Sequence, residues 1–258
     1  MFNTIIVQPL LNILFVIDAA LPVNDFGIAI IILTLLIRFA LYPLAKKQLH
    51  SQKALSALQP EINELKEKYK SDPQKFQAAT MELYKEKEVN PFGSCLPTLI
   101  QMPFLIGLFY VFIKFKDPAF LSLTEEGILG QIYPFVRELS FVKGYVSATE
   151  SVSTSLLGLV NLAEPFVPFA IVAGALQFVQ SKMLTPKKKG EDKQANMMAQ
   201  MTYVFPLLTV FIAFNLPAAL PLYWSVTTLF AVAQQYLTMH HEVEVLEEKS
   251  ERVRTKKS

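Results

Sequence analysis

The chain has 258 residues, of which 52% are hydrophobic and only 18% are charged. This composition is too apolar for an ordinary soluble domain of this length, so the sequence predicts a protein whose solvent is the bilayer. One cysteine, Cys95, excludes an internal disulfide, and the three histidines, His50, His240 and His241, form no metal-ligand pattern. We therefore expect neither redox chemistry nor a cofactor.

The first 22 residues carry apolar side chains at helical spacing, interrupted by polar ones such as Asn12 and Asp18. This pattern favours an amphipathic helix that lies along the outer membrane surface. A membrane-crossing helix is the alternative, but Pro9 interrupts the run and no Lys or Arg before Arg38 holds the N-terminus inside. The missing basic start also argues against a cleaved secretory signal.

A membrane-spanning helix needs about 20 largely apolar residues to cross about 30 Å of hydrocarbon. The sequence supplies five such helices in four stretches, 23–45, 93–115, 165–184 and 201–239. The last stretch is too long for one helix, and Asn215-Leu216-Pro217 divides it because proline removes a helix donor and disfavours helix in the residue before it. We predict an all-α membrane protein with five spans.

Between the first two spans, residues 46–92 form more than a linker. Leu55, Leu58, Ile62, Leu65 and Tyr69 alternate three- and four-residue steps, which is typical of a coiled-coil helix. The turn signal Ser71-Asp72-Pro73 then precedes a second helical stretch. The pattern predicts an antiparallel helical hairpin.

Basic residues predict the orientation of the spans. Nineteen of the 24 Lys and Arg residues fall in the hairpin, at the end of the third span and in the basic loop at 185–200, or in the tail at 240–258. The loop at 116–164 and its edges hold only four, which are Lys114, Lys116, Arg137 and Lys143. Since Lys and Arg are enriched on the cytoplasmic side, the N-terminus is expected outside and the C-terminus in the cytoplasm.

Arg38 is a charged residue inside the first predicted span. A charge at membrane depth costs from about 2.5 to more than about 10 kcal/mol, so it usually faces a protein interior or a wet cavity. Arg38 is also only about 12 Å along a helix from Lys46, so its side chain has the length to reach the cytoplasmic headgroups. The spacing leaves the cavity and the headgroup interpretations equally open.

Polar residues in the other spans favour the cavity. They are Thr34 in the first span, Gln101 in the second, Gln177 and Gln180 in the third, and Trp224 and Thr228 in the fifth. Each has an ordinary structural interpretation: Gln101 lies beside Pro103 and satisfies freed backbone groups, and Trp224 belongs to an aromatic belt. Together with Arg38 they suggest a hydrophilic groove that opens to the cytoplasm.

Several motifs resemble the YidC family of membrane protein insertases. They are Arg38-Phe-Ala-Leu-Tyr-Pro-Leu44, Leu58-Gln59-Pro60, the run from Met81 to Pro103 that contains Asn90-Pro-Phe-Gly93, and Leu222-Tyr-Trp224. They occur in the family's order and spacing, and the resemblance extends from about Asn24 to Met239. It implies five helices around a groove closed on the outside, with the family's groove arginine at Arg38 and polar companions at Gln180 and Trp224.

The resemblance also implies a function, location and partners. We expect a bacterial cell-membrane insertase and chaperone that contacts lipids and receives nascent membrane proteins, with the ribosome, the signal recognition particle system and the Sec translocon as further partners. Thr228 stands where relatives often have Asn, and a large extracytoplasmic domain is missing from 116–164. Five glutamates in the tail offset its five basic residues, so ribosome binding through the tail is not expected.

Three other classes fit the composition less well. A solute transporter lacks support because no repeated half or pair of broken helices is visible. An intramembrane enzyme is disfavoured because the spans contain no Ser/His or paired-Asp arrangement, and nucleotide hydrolysis is not expected without a Gly-x-x-x-x-Gly-Lys-Ser/Thr loop. A chaperone that assembles membrane complexes without inserting anything is the third alternative. Only an insertion assay distinguishes it from an insertase.

The orientation is tested by single cysteines in a Cys95→Ser background. Cysteines at Ser71, Lys188 and Ser250 are expected to react with an impermeant maleimide only from the cytoplasmic side, and a cysteine at Ser140 only from outside. The reason is the nineteen-to-four bias in basic residues, which survives an error of one or two residues in the loop edges. Labelling of Ser140 from the cytoplasm would overturn the orientation.

Overall fold

The computed structural model is mostly helical, as the predicted all-α fold class requires. It describes the backbone of residues 1–94, 96–184 and 193–255, and the side chains of 1–91, 93, 99–183 and 203–238. Residues 185–192 of the predicted basic loop lie outside the described part, as do the side chains of 193–200 and of the tail at 240–258. The five-span count and the domain boundaries stay predictions.

The described backbone contains twelve α-helices and one β-hairpin. In chain order they are α1 Gln8–Ala20, α2 Phe26–Ala40, α3 Tyr42–Ala57, α4 Gln59–Lys68, α5 Pro73–Glu86, α6 Leu96–Lys114, α7 Pro118–Leu121, α8 Pro134–Arg137, α9 Ser140–Ala148, β1 Ser155–Leu156, β2 Val160–Asn161, α10 Val167–Leu184, α11 Lys193–Ala213 and α12 Ala219–Thr255. A π-helical turn, Asn3–Val7, precedes α1, and 3-10 turns occupy Pro91–Ser94 and Leu129–Gln131.

The long helices pack side by side. Helix α10 contacts both α11 and α12, and α2 contacts α12 and α1. Their shared core continues into the segment between α6 and α10, where the rings of Phe26 and Phe115 meet edge to face at 4.8 Å. Close helix packing is seen at Gly174, because an added Cβ there would collide with Val210 of α11.

The outer surface of α11 is strongly apolar. Large side chains are exposed along it, and Leu207 and Phe211 are each 69% accessible. A helix that is apolar on its exposed side suits a lipid environment, since a soluble protein rarely exposes a continuous apolar surface of this kind.

Four described segments bear on membrane crossing. The helix over Asn3–Ala20 is long and apolar enough to span a bilayer. Helices α2 and α3 pass the same test as a pair, with a bend of 64° between them, and 99–114 and 203–213 are shorter apolar helices.

The polar residues of α1 are buried against the protein. Asn12 donates from Nδ2 to the Gln131 carbonyl at 3.0 Å and accepts from the Tyr133 N–H at 2.7 Å. Asp18 accepts from the Tyr145 hydroxyl at 2.8 Å. Exposed positions such as Ile13 are apolar. Asn12 and Asp18 are therefore polar because they hydrogen-bond the segment after α6, since buried polar groups need partners.

Helices α4 and α5 form a small unit of their own. Leu58, Ile62 and Leu83 are buried together, separately from the main core, and Lys87 pairs with Glu61 at 3.0 Å. Asp72 caps α5 by accepting from the Lys75 N–H at 3.1 Å, and this hydrogen bond lowers the pKa of Asp72. An aspartate at this position satisfies one of the free N–H groups of the first turn.

Tyr145→Phe tests the bond that holds α1 to α9. Burial, and then the negative charge of Asp18, raises the pKa of Tyr145, so its hydroxyl stays protonated and donates. Removing it leaves a buried carboxylate oxygen without a partner and is expected to lower the free energy of unfolding in detergent by about 1–3 kcal/mol.

Ser147→Ala is the matched control, because the Ser147 hydroxyl is exposed on the same helix and bonds only the Lys143 carbonyl. This variant is expected to stay within about 0.5 kcal/mol of the parent. Equal denaturant midpoints for all three proteins would contradict a stabilising Tyr145–Asp18 bond.

Candidate functional site

A sharp bend between α2 and α3 positions Arg38. The two helices meet at Leu41 with an angle of 64°. Pro43 lies in the first turn of α3, where proline is tolerated because its missing N–H would have no intrahelical partner. Arg38 is in the last turn of α2, where a cation also complements the negative end of the helix dipole.

Two adjacent cavities meet at Arg38. The first has a volume of about 250 Å³ and the second about 240 Å³. The first is lined by Arg38, Leu41, Leu44, Ala45, Gln48, Gln101, Met102, Leu105 and Gln180. The second is lined by Arg38, Ala45, Gln48, Leu49, Gln52, Gln177, Gln180, Ser181, Ala231 and Gln234. We call the two cavities together the Arg38 recess.

The polar wall of the Arg38 recess consists mainly of amides. Six glutamine side chains line it, from α3, α6, α10 and α12. Glutamine both donates and accepts hydrogen bonds and carries no charge. Among the described lining residues Arg38 supplies the only formal charge, so the recess is positive and otherwise neutral.

Two polar atoms of the recess walls have no partner. Arg38 Nε and Gln177 Oε1 are both buried and make no hydrogen bond to any described residue. No carboxylate of the described residues forms an ion pair with Arg38. An unsatisfied buried polar group costs about 1–3 kcal/mol. The recess therefore presents one donor and one acceptor that are unpaired within the described part of the protein.

Tyr223 anchors the wall at Gln101. The Gln101 amide Nε2 donates to the Tyr223 hydroxyl at 2.6 Å, and Tyr223 is only 2% exposed. The sequence pattern favours an aromatic belt at the neighbouring Trp224 and did not predict this bond. The signal was present, because a tyrosine that is buried in a span needs a partner for its hydroxyl.

Three glutamines of the recess were also missed. Gln48 and Gln52 were counted as part of the hairpin, but the bend after α2 turns α3 alongside the recess. Gln234 of α12 is buried, and its Nε2 bonds the Tyr42 carbonyl at 3.4 Å. Two side-chain amides in succession, Gln234 and Gln235, at the end of an apolar run were the available signal.

The structure brings together four of the seven residues predicted for the groove. Arg38, Gln101, Gln177 and Gln180 line the recess, whereas Thr34, Trp224 and Thr228 do not. Thr34 is buried and donates to the Ile30 carbonyl of its own helix at 2.6 Å. Trp224 packs against the main core. The roles of all seven residues stay predictions.

An all-α fold with apolar exposed helices and an internal basic, amide-lined recess defines a helical membrane protein with a polar site. The family model described as 60Kd inner membrane protein matches residues 19–245. A Clostridium tetani protein named membrane protein insertase YidC is 36% identical over 217 residues, which are 84% of this chain and 83% of that protein.

Another relative, membrane protein insertase MisCA of Bacillus subtilis, is 36% identical over 223 residues, covering 85% of this chain and 72% of the relative. The chain therefore belongs to the YidC family of membrane protein insertases, as the motifs predicted. A crystal structure described as an active YidC insertase with its first transmembrane domain resolved has a similar fold, with a TM-score of 0.53 at 24% identity. The match covers 91% of this chain and 46% of that one.

Tyr223→Phe tests the hydrogen bond that fixes Gln101. The variant keeps the ring and removes the acceptor of the Gln101 amide, so the free energy of unfolding is expected to fall by about 1 kcal/mol. Tyr110→Phe is the control, since Tyr110 is half exposed and makes ring contacts with Phe2 and Phe109. Thermal unfolding in detergent measures the stability of both variants. An equal change in the two would show that the Tyr223–Gln101 hydrogen bond does not stabilise the protein.

Proposed function

We propose that this protein inserts other proteins into the bacterial inner membrane. It receives a hydrophilic segment of the substrate in the Arg38 recess and releases the adjoining hydrophobic helix into lipid, without nucleotide hydrolysis. The observation that carries the proposal is the guanidinium of Arg38, which lines both cavities and, among the described residues, has a buried Nε without a partner and no carboxylate in an ion pair with it. Membership of a family whose relatives are named insertases supports the same function.

In the proposed topology five helices cross the membrane around the recess. They are α2, α6, α10, α11 and the first part of α12, with the N-terminus outside and the C-terminus in the cytoplasm. Helices α6, α10 and α11 have 19, 18 and 21 residues, and at 1.5 Å per residue each is about as long as the hydrocarbon layer is thick. The basic hairpin then lies in the cytoplasm, as the distribution of Lys and Arg favours.

The same topology places α1 on the outer surface. Near its start, the Phe2 ring contacts Tyr110, which is four residues before the outer end of α6. Near its end, Asp18 is bonded to Tyr145 of the outer segment. A helix attached to outer elements at both ends does not cross the bilayer, although its length permits a crossing. Its exposed apolar side chains, such as Ile13, would contact lipid.

The recess lowers the barrier to insertion by dividing desolvation into smaller steps. A polar segment that enters it exchanges water for the amides of the wall and for the charge of Arg38. The free donor at Arg38 Nε and the free acceptor at Gln177 Oε1 suit the C=O and N–H of a peptide chain. The hydrophobic helix of the substrate then enters lipid, which is favourable by about 25 cal/mol per Å² of apolar surface.

The substrates are nascent membrane proteins, and the hairpin of α4 and α5 is a contact surface for the machinery that delivers them. Its own core is separate from the main core, so it can move without unfolding the rest of the protein. The ribosome, the signal recognition particle system and the Sec translocon are the proposed partners. The hairpin side chains form exposed ion pairs such as Lys87–Glu61, which exchange readily for contacts with a partner because their net stability is small.

The charge on Arg38 is tested by reconstituting Arg38→Lys and Arg38→Ala in vesicles and measuring insertion by protease protection. A wet groove has an effective dielectric well above that of dry protein, so attraction to a carboxylate at about 4 Å is about 4 kcal/mol. Arg38→Lys is therefore expected to keep most of the activity. Arg38→Ala is expected to lose at least about tenfold for substrates with acidic translocated tails, and much less for neutral ones.

Lys182→Ala is the matched control, because Lys182 is an exposed cation at the same end of the protein that does not line the recess. It is expected to insert both kinds of substrate normally. Raised salt should weaken the preference for acidic tails partially, since screening is incomplete in a narrow site. If Arg38→Ala folds with the correct topology and inserts every substrate at the parental rate, the proposed role of Arg38 is wrong.

A further inference from the structure

The β-hairpin at 155–161 has an unusual turn. Strands β1 and β2 pair with Leu156 opposite Val160, and the Leu159 N–H donates to the Leu156 carbonyl at 3.0 Å. Both central residues of this turn have positive φ, 54° at Leu157 and 68° at Gly158. Such turns favour Asn, Asp or Gly at both positions. A leucine at the first position is strained, because its Cβ crowds the backbone in the left-handed region.

Burial inside the protein does not explain this leucine. Leu157 is 66% exposed and Leu159 is 83% exposed. The base of the hairpin is polar instead: Thr154 donates to the Asn161 side chain at 3.1 Å, and Asn161 donates to Glu164 at 3.1 Å. The hairpin therefore has an exposed apolar tip on a polar base.

Contacts with α2 fix the level of the tip. The Asp25 carboxylate caps α2 by accepting from the Ile28 N–H at 3.0 Å, and its other oxygen accepts from the Leu157 N–H. Leu156 lies so close to Gly27 that an added Cβ would stand 2.6 Å from Leu156 Cδ1. Gly27 thus permits the hairpin to lie directly against the first turn of α2. Leu157 is at the height where that helix begins.

We propose that Leu157 and Leu159 insert into the outer leaflet of the bilayer, so that the hairpin is a lipid-anchoring surface. This inference rests on the topology of the proposed function, in which the first turn of α2 is at the outer boundary of the hydrocarbon. At that height the medium beside an exposed side chain is lipid. The polar base remains among headgroups and water, and the energy of apolar transfer offsets the strain of the turn.

The anchored hairpin also fixes the depth of the Arg38 recess in the membrane. Arg38 is eleven residues after Gly27 in the same helix, which is about 17 Å along the axis. A hairpin held at the outer boundary therefore keeps Arg38 at a constant depth, near the middle of the layer and within reach of the cytoplasmic side. Leu157 and Leu159 thereby determine the membrane depth at which Arg38 contacts a substrate.

The test uses a fluorescent label whose emission reports contact with lipid. In a Cys95→Ser background, Leu159→Cys is labelled with the dye NBD and reconstituted in vesicles of phosphatidylcholine and phosphatidylglycerol. Lipids brominated near the top of the acyl chain are expected to quench this label several-fold more than aqueous iodide does. Glu126→Cys is the matched control, since Glu126 is exposed on the same outer segment, and there the order of the two quenchers is expected to reverse.

Leu157→Gly supplies a second variant that is expected to fold, since φ at this position is positive. Glycine adopts positive φ without strain, so thermal unfolding in detergent is expected to be unchanged or slightly raised. The loss of one apolar anchor is expected to shift the label at Leu159 towards iodide quenching. A lowered melting temperature would instead mean that Leu157 acts in packing within the protein, which overturns the proposal.

Two further results would also overturn it. The first is iodide quenching at Leu159 equal to that at Glu126, and the second is energy transfer between labelled copies with no quenching by brominated lipid, which would assign the tip to a second copy of the chain. The measurement uses no substrate. If lipid quenches the label at Leu159 in a protein that fails to insert substrates, the lipid anchor is supported. That result would contradict only the insertase function.

Discussion

A guanidinium held among apolar helices, with no carboxylate partner in the described part of the chain, is the constraint around which this structure is arranged. Because the charge of Arg38 has no counterion among the described residues, its surroundings must supply dipoles in place of one. In the proposed function, the uncharged amides of Gln48, Gln101, Gln177 and Gln180, which line the recess, supply these dipoles without neutralising the charge. A carboxylate partner would make the site more stable and leave it little attraction for an acidic substrate, so the unsatisfied state is what the proposed function needs.

The side of the molecule opposite the recess is organised by two aspartates. Asp18 accepts from Tyr145, and Asp25 joins the first turn of α2 to the Leu157 N–H. Both tie a membrane-type helix to the segment between α6 and α10. These bonds, with the packing of Phe26 on Phe115, hold the elements together on the side remote from Arg38. In the proposed function, a recess that is closed on this side and polar at the other gives direction to the entry of a substrate.

Much of the fold was predictable because the bilayer imposes regular lengths. The apolar stretches, the break at Asn215-Leu216-Pro217 and the coiled-coil spacing from Leu55 each indicated helices, and α11 ends at Ala213 before α12 begins at Ala219. The motifs from Arg38 to Leu44 and around Asn90 predicted the family, which the comparisons confirmed. Periodicity did not reveal that Asn12 bonds Gln131, since such a partner is more than 100 residues away in the chain.

The sequence by itself determined the all-α class, the family and the position of a charge within an apolar helix, because these depend on local composition and spacing. Only the tertiary structure decided which polar residues meet that charge. The bend at Leu41 brings Gln48 and Gln52 to the recess, whereas Thr34 bonds its own helix and Trp224 enters the core. Those outcomes depend on how each helix is rotated and where it crosses its neighbours. Both are set by contacts between residues far apart in the chain, which the local sequence pattern does not reveal.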